Sequence, residues 1–353
     1  MTSRKIGFGL IGLGGISSAH LDGFARTGDF APLVAVCDRD AARAQAVAAR
    51  TGARAYTDYR ELLADPRVGA IDAPLPHNLH FEVAKAALEA GKHVLLEKPM
   101  APTVAECDAL IALARQKGLT LGVSENTPFV HAYLEVERML KAGELGDTRL
   151  VRTLIYGSEV ERLLDTSNWK GRVAGTVGGA IFDAGPHTFY LLKWLFGPVA
   201  SVQAIANKLV EVSQVEDNGI VAGRLASGAI FSTEFTFTAE IPWGERLEIY
   251  GSKGSLVVDQ LLNPPVVHYR SKTDTGHPLA SVPYQPDREE HDHDGWKSRS
   301  IADGVIAFAR AISEGRPAPV KAEDARDAIA VCEAAYRSIA NGGVSIPVSP
   351  ANT

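Results

Sequence analysis

From residue 6 to about 123 the chain alternates short apolar runs with longer stretches of helical periodicity. The runs are Ile6 to Ile11, Leu33 to Val36, Ala70 to Ala73, His93 to Leu96 and Leu119 to Val123. Between them lie Ala-rich helical patterns at Ala41 to Arg50, Glu82 to Glu89 and Val104 to Lys117, where Ala109, Leu110, Leu113 and Ala114 share one face. Such alternation predicts a doubly wound parallel sheet with crossover helices. Gly52, Gly91 and Gly118 stand just past the helical patterns, where a left-handed cap is wanted.

Beyond Val123 the texture changes. One more helical pattern, Val130 to Leu140, precedes runs of β-branched and aromatic residues at Thr148 to Tyr156, Val199 to Ala206, Asn218 to Leu225, Ala229 to Phe237, Arg246 to Tyr250 and Ser255 to Val258. With turns at Ala226-Ser227-Gly228 and Gly251-Ser252-Lys253-Gly254, these predict an antiparallel, hairpin-connected sheet in an α+β domain. The polar stretch Ser271 to Arg299 reads as an extended excursion, and helices at Ile301 to Glu314 and Glu323 to Asn341 close the chain.

A length of 353 residues fits two domains. The net charge of -6, without a basic block, excludes nucleic acid and an anionic membrane surface as expected partners. Arg4 and Lys5 before the apolar stretch Ile6 to Ile16 resemble the start of a signal peptide, but four glycines interrupt the stretch and no clean cleavage site follows. No segment reaches the run of about 18 apolar residues that spans a bilayer. Cys37, Cys107 and Cys332 form neither a CxxC pair nor a disulfide framework, so a reducing, cytoplasmic setting is expected.

Directly after the first strand comes Gly12-Leu13-Gly14-Gly15-Ile16-Ser17. The first glycine permits a tight turn, the second lets backbone approach a pyrophosphate, and the small third residue lets the following helix pack closely. Phosphates would then meet the N-H groups of the helix N-terminus. The second strand ends in Val36-Cys37-Asp38, which places an acid where a ribose 2'-hydroxyl is expected. Asp38 favours NAD over NADP, because a carboxylate repels a 2'-phosphate. Arg39 keeps NADP open, since a guanidinium there could bind that phosphate or stack on adenine.

Three further motifs join the glycine loop: Leu75-Pro76-His77-Asn78-Leu79-His80, then Glu97-Lys98-Pro99 after the run His93 to Leu96, then Gly178-Gly179-Ala180-Ile181-Phe182-Asp183-Ala184-Gly185-Pro186-His187. Together they resemble the glucose-fructose oxidoreductase, inositol dehydrogenase and MocA family over essentially the whole chain. The resemblance implies a Rossmann domain at 1–124 and an α+β domain with an open-faced, mainly antiparallel sheet at 125–300. It also implies C-terminal helices at 301–353 that return to the first domain, and a homodimer or homotetramer formed through the sheet face. The sequence departs from the family pattern at Leu75, where Thr is usual, and at Ala180, where Gly is usual. It departs again at Thr127-Pro128-Phe129 after Glu125-Asn126, on the substrate side.

The resemblance implies that Lys98, Asp183 and His187 are catalytic. His187 takes or returns a proton, Lys98 hydrogen-bonds the reacting oxygen, and Asp183 orients the substrate; either Lys98 or His187 can be the base. A cofactor site is expected from Gly12, Leu13, Gly14, Gly15, Ile16, Asp38, Arg39, Leu75, Pro76, His77, His80, Glu97, Lys98, Asn126, Trp169 and Lys170, with NAD as cofactor and NADP as the alternative. Lys98-Pro99 is expected to be cis, as in relatives. Asp183 and His187 are four apart and share a face if helical. Pro186 between them points to a distorted or first-turn helix. His291 and His293, within the loop from Glu289 to Asp294, have metal-ligand spacing, but a solvated acidic loop is expected there and no metal. His93 is expected to be structural.

The expected activity is hydride transfer between nicotinamide and a secondary alcohol of a sugar, sugar derivative or cyclitol. A redox-neutral hydrolase, lyase or epimerase using transient oxidation, or a non-catalytic NAD and sugar sensor, would use the same residues.

Overall fold

The computed structural model describes residues 5–260, 267–271, 281–282 and 295–349, with 267–271 and 281–282 as backbone strands. The chain divides into two compact units: Met1–Phe129 with Lys297–Arg326, and Val130–Trp296 with Asp327–Thr353.

Unit 1 is built from β1 (Phe8–Ile11), α1 (Ser17–Thr27), β2 (Leu33–Cys37), α2 (Ala41–Thr51), β3 (Arg54–Tyr56), α3 (Tyr59–Ala64), β4 (Ala70–Ala73), α4 (His80–Glu89), β5 (His93–Glu97), α5 (Val104–Lys117) and β6 (Leu121–Ser124). Its six-stranded sheet runs β3-β2-β1-β4-β5-β6 with all pairings parallel. The reversal of strand order beside β1 is where a doubly wound sheet offers a ligand crevice. Sequence reading missed β3 and α3, since both are too short to show a period. Gly9 explains why α3 can lie so close: a Cβ there would come 2.6 Å from Leu62 Cδ2. Left-handed Gly52 and Gly118 end α2 and α5 as expected, and a Thr103–Glu106 capping box starts α5.

The helix α10 (Gly295–Ser313) belongs almost wholly to unit 1, where Val305, Phe308, Ala309 and Ile312 join the core with Phe8, Leu10 and Phe24. Burial of a Val, Leu, Ile or Phe side chain contributes roughly 1.5–3 kcal/mol. The last helix, α11 (Ala322–Ala340), is shared: Arg326 pairs with Asp108 in unit 1, whereas from Asp327 onward it belongs to unit 2, where Asp327 bonds Lys193.

Unit 2 begins with α6 (His131–Lys141) and β7 (Thr148–Tyr156), followed by short α7 (Val160–Leu164) and α8 (Val173–Thr176) and the long α9 (Ala180–Phe196). Then come β8 (Val199–Asn207), β9 (Asn218–Leu225), β10 (Ile230–Thr236), β11 (Gly244–Gly251), β12 (Gly254–Asp259), β13 (Val267–Ser271), β14 (Ser281–Val282) and, after α11, β15 (Ile346–Pro347). The sheet order is β14-β13-β12-β11-β7-β10-β9-β8-β15. It is mainly antiparallel, and the expectation of hairpins throughout is corrected at three pairings: β7 lies antiparallel to β11 and parallel to β10, and β15 pairs with β8. The parallel pair forms because β7 enters the sheet before the α9 crossover and β10 returns beside it.

Along β7, β10 and β11 the residues Val151, Thr153, Ile155, Phe231, Thr233, Phe235, Leu247 and Ile249 are buried. The opposite face carries exposed Ile205, Ile220 and Ile230 and a lattice of charges in which Arg152 meets Glu234 and Glu248 while Arg246 meets Glu248 and Asp259. The expected excursion at 271–299 lies outside the described residues except for Ser271, 281–282 and the start of α10. The His-x-His loop is outside them altogether. No described helix is long and apolar enough to cross a membrane.

Candidate functional site

The glycine loop joins β1 to α1. Gly12 adopts φ 97°, and a Cβ there would lie 2.5 Å from the Pro74 carbonyl oxygen, so only glycine fits. At Gly14 and Gly15 a Cβ would meet nothing within 4 Å, which leaves open space above bare backbone. The start of α1 has no capping side chain. Exposed glycine backbone beside open space at a helix N-terminus fits a pyrophosphate.

Asp38 closes this loop from the end of β2. One carboxylate oxygen accepts the Leu13 N-H at 2.9 Å and lies 3.3 Å from Arg43 Nη1, and the other accepts the Asp40 N-H at 2.9 Å. Arg39, the basic residue singled out by sequence, is exposed. Arg43 instead reaches the acid, because α2 brings it back over the strand end. Leu13 is buried and Ile16 exposed.

The loops after β4 and β5 are fastened by one histidine. His80 is fully buried, with Nδ1 2.6 Å from the Pro99 carbonyl oxygen and Nε2 2.8 Å from that of Leu75. Burial pushes its pKa down against these two carbonyls. His80, expected as a cofactor contact, has both ring nitrogens engaged by backbone carbonyls and holds Leu75 and Pro99 in place. His77, edge-on to it, is buried too, whereas Leu75, Pro76 and Lys98 are half-buried. The Lys98-Pro99 bond is cis. Asn126 turns inward and donates to Ser300 Oγ at 2.9 Å. His93 Nδ1 accepts the Thr120 N-H.

Beneath this loop lies a cluster that sequence reading missed. His20 on α1 is fully buried, with Nδ1 2.7 Å from Asp72 Oδ2 and Nε2 3.4 Å from Glu97 Oε1; Glu97 Oε2 accepts the Lys98 N-H at 2.8 Å. Burial works against charge on His20, but Asp72 and Glu97 outweigh it and push its pKa up to about 10. Burial raises Asp72 as well, so the pair keeps its proton. Asp72 left a signal that could have been read: a carboxylate inside the apolar strand Ala-Ile-Asp-Ala must find a buried partner.

In unit 2, Asp183 and His187 lie one turn apart on α9, both buried. The helix continues through Pro186 in its second turn, so of the expected distorted or first-turn helix the first-turn alternative is corrected. The proline removes only the bond its N-H would give the Phe182 carbonyl. Lys170 Nζ lies 2.8 Å from Asp183 Oδ2 and 3.8 Å from Glu159 Oε2, and Arg162 Nη1 bonds both oxygens of Glu159. Positive and negative groups therefore alternate from Arg162 to Asp183. Trp169, half-buried, opens the short turn that presents Lys170. Glu159 and Arg162 carried no sequence signal, because only folding brings them to Lys170.

Residues 6–125 match a family model described as an oxidoreductase family with an NAD-binding Rossmann fold, and residues 133–257 match the GFO/IDH/MocA C-terminal domain. An uncharacterized oxidoreductase of Synechocystis sp. is 36% identical over 239 residues, and the match spans 64% of each chain. The dTDP-3,4-didehydro-2,6-dideoxy-alpha-D-glucose 3-reductase of Saccharopolyspora spinosa is 34% identical over 66% of this chain and 68% of its own. The WlbA dehydrogenase of Bordetella pertussis, solved with NADH and UDP-GlcNAcA, superposes with a TM-score of 0.85 at 27% identity, covering 99% of this chain and 100% of that one.

Proposed function

Since the chain belongs to the GFO/IDH/MocA family of NAD-binding oxidoreductases, we propose that it is an NAD-dependent dehydrogenase acting on a secondary alcohol of a sugar, sugar derivative or cyclitol. The reaction converts the alcohol and NAD+ to the ketone, NADH and a proton. Bound NAD supplies the hydride acceptor. His187 takes the hydroxyl proton, Lys98 hydrogen-bonds the oxygen as charge develops on it, and Asp183 orients a hydroxyl of the substrate.

The observation that carries this reading is the pairing on α9. A buried carboxylate and an imidazole lie one turn apart, with Lys170 fixing the carboxylate at 2.8 Å. Preference for NAD is supported by Asp38, whose carboxylate would repel a 2'-phosphate and already neutralises Arg43. The sugar class is supported by the relatives, which are named for a dTDP-sugar and solved with a UDP-sugar acid. A second copy of this chain is the proposed partner, seated on the sheet face that exposes Ile205 and Ile220, which are cross-strand neighbours.

The test is NADH absorbance on a panel of polyols, free sugars, sugar acids and nucleotide sugars, with Lys98→Met and His187→Asn as controls. The expected result is reduction of NAD by one substrate class and loss of at least about a hundredfold in either variant, with NAD still bound. Silence across the panel by a protein that binds NAD would overturn the reading. Product without net NADH would replace it with a redox-neutral reaction.

A further inference from the structure

We propose that Glu216, from the loop between β8 and β9, is a positioning residue for Asp183 and His187, acting through the N-terminus of α9 with Tyr336 as its partner. This rests on the reading that those two residues meet the substrate.

The first N-H groups of a helix need acceptors from outside it. The residue before α9 is Gly179, which has no side chain to offer. Glu216 serves the gap three times over: Oε2 accepts the Gly179 N-H at 3.0 Å, Oε1 accepts the Ile181 N-H at 3.0 Å, and its backbone carbonyl accepts the Ala180 N-H at 3.0 Å. The Tyr336 hydroxyl donates to Oε1 at 2.7 Å.

Two glycines make this approach possible. A Cβ on Gly178 would lie 2.0 Å from the Tyr336 oxygen, and one on Gly179 would lie 1.7 Å from the Glu216 carbonyl oxygen. The Gly178-Gly179 pair thus reads as the imprint of Glu216 and Tyr336.

The consequence reaches the site. Asp183 stands in the first turn of α9, where the open N-H groups favour a carboxylate electrostatically. Glu216 already serves them, and the Asp183 carboxylate turns to Lys170. The same bonds fix the start of α9 against the β8–β9 loop, and with it the direction of His187 one turn later. Tyr336 stays a donor, since burial and the neighbouring carboxylate hold its hydroxyl well above the usual phenol range. Within the loop, Asp217 accepts the Leu209 and Val210 N-H groups, bonds in which the Glu216 side chain takes no part.

The experiment compares Glu216→Ala, Glu216→Gln and Tyr336→Phe by melting temperature, NADH affinity, kcat and KM on the substrate found above. It adds the imidazole resonance of His187, followed by NMR without cofactor. Glu216→Ala is expected to shift the His187 resonance and lower kcat about tenfold or more, with NADH affinity unchanged; Glu216→Gln, which keeps an acceptor, restores kcat to within about threefold. Tyr336→Phe is expected to move the resonance in the same direction by less, and it carries the test if Glu216→Ala does not fold. Variants that melt lower but leave the resonance and kcat unmoved would overturn the proposal. If the wild type turns over nothing while the resonance still responds to Glu216, the dehydrogenase reading fails and the positioning role stands.

Discussion

Lys170 Nζ lies 2.8 Å from Asp183 Oδ2, joining a loop residue to a helix residue thirteen positions later. The pair is mostly out of solvent, with the lysine side chain 23% and the aspartate 9% exposed. Removing one partner leaves the other poorly compensated. Lys170→Met is expected to lower kcat/KM about tenfold, and Lys170→Arg to retain most of it. A double-mutant cycle with Asp183→Asn checks the link, since a coupled pair gives a double variant little worse than the poorer single one.

Asp38 holds the glycine loop through the Leu13 N-H and faces Arg43 at 3.3 Å. Asp38→Ser would remove the ribose acceptor and release the guanidinium. The expected outcome, by calorimetry, is weaker NAD binding and stronger NADP binding, with the ratio of the two Kd values moving by about tenfold or more. An unchanged ratio would show that Asp38 does not face the ribose.

His20 supplies a pH dependence of stability. Its folded pKa of about 10 lies above the ordinary value of 6.5, so the folded state binds more protons than the unfolded state between those values. Its contribution is complete below pH 6.5 and is lost as pH rises toward 10. Urea midpoints of the wild type are expected to fall across that window more steeply than those of His20→Asn or Asp72→Asn. Parallel slopes would count against a charged His20.

The outer sheet face makes a separate prediction. Ile205 is 63% and Ile220 44% exposed, and the two are cross-strand neighbours. Exposed apolar pairs at the centre of a two-fold interface tolerate charge poorly. Ile205→Glu with Ile220→Glu is expected to convert an oligomer to monomer in sedimentation velocity, with the far-UV spectrum unchanged. A wild type that already sediments as a monomer would remove this face as the contact.

Periodicity and the turn residues were sufficient for five of the six parallel strands, for β7 to β12 of the second unit, for the glycine loop with Asp38, and for the helical spacing of Asp183 and His187. These are local or repeating properties: a turn needs its glycine at one position, and a buried strand needs an apolar run. Tertiary structure alone decided which residues support them. His20, Asp72 and Glu97 come from a helix and two strands, Arg43 rather than Arg39 reaches Asp38, and Glu216 caps a helix that begins 36 residues before it. It also made His80 a clamp between two loops. The physical reason is common to all of them. A buried polar group must find a partner wherever the fold brings one, and sequence spacing carries no record of contacts made across the fold.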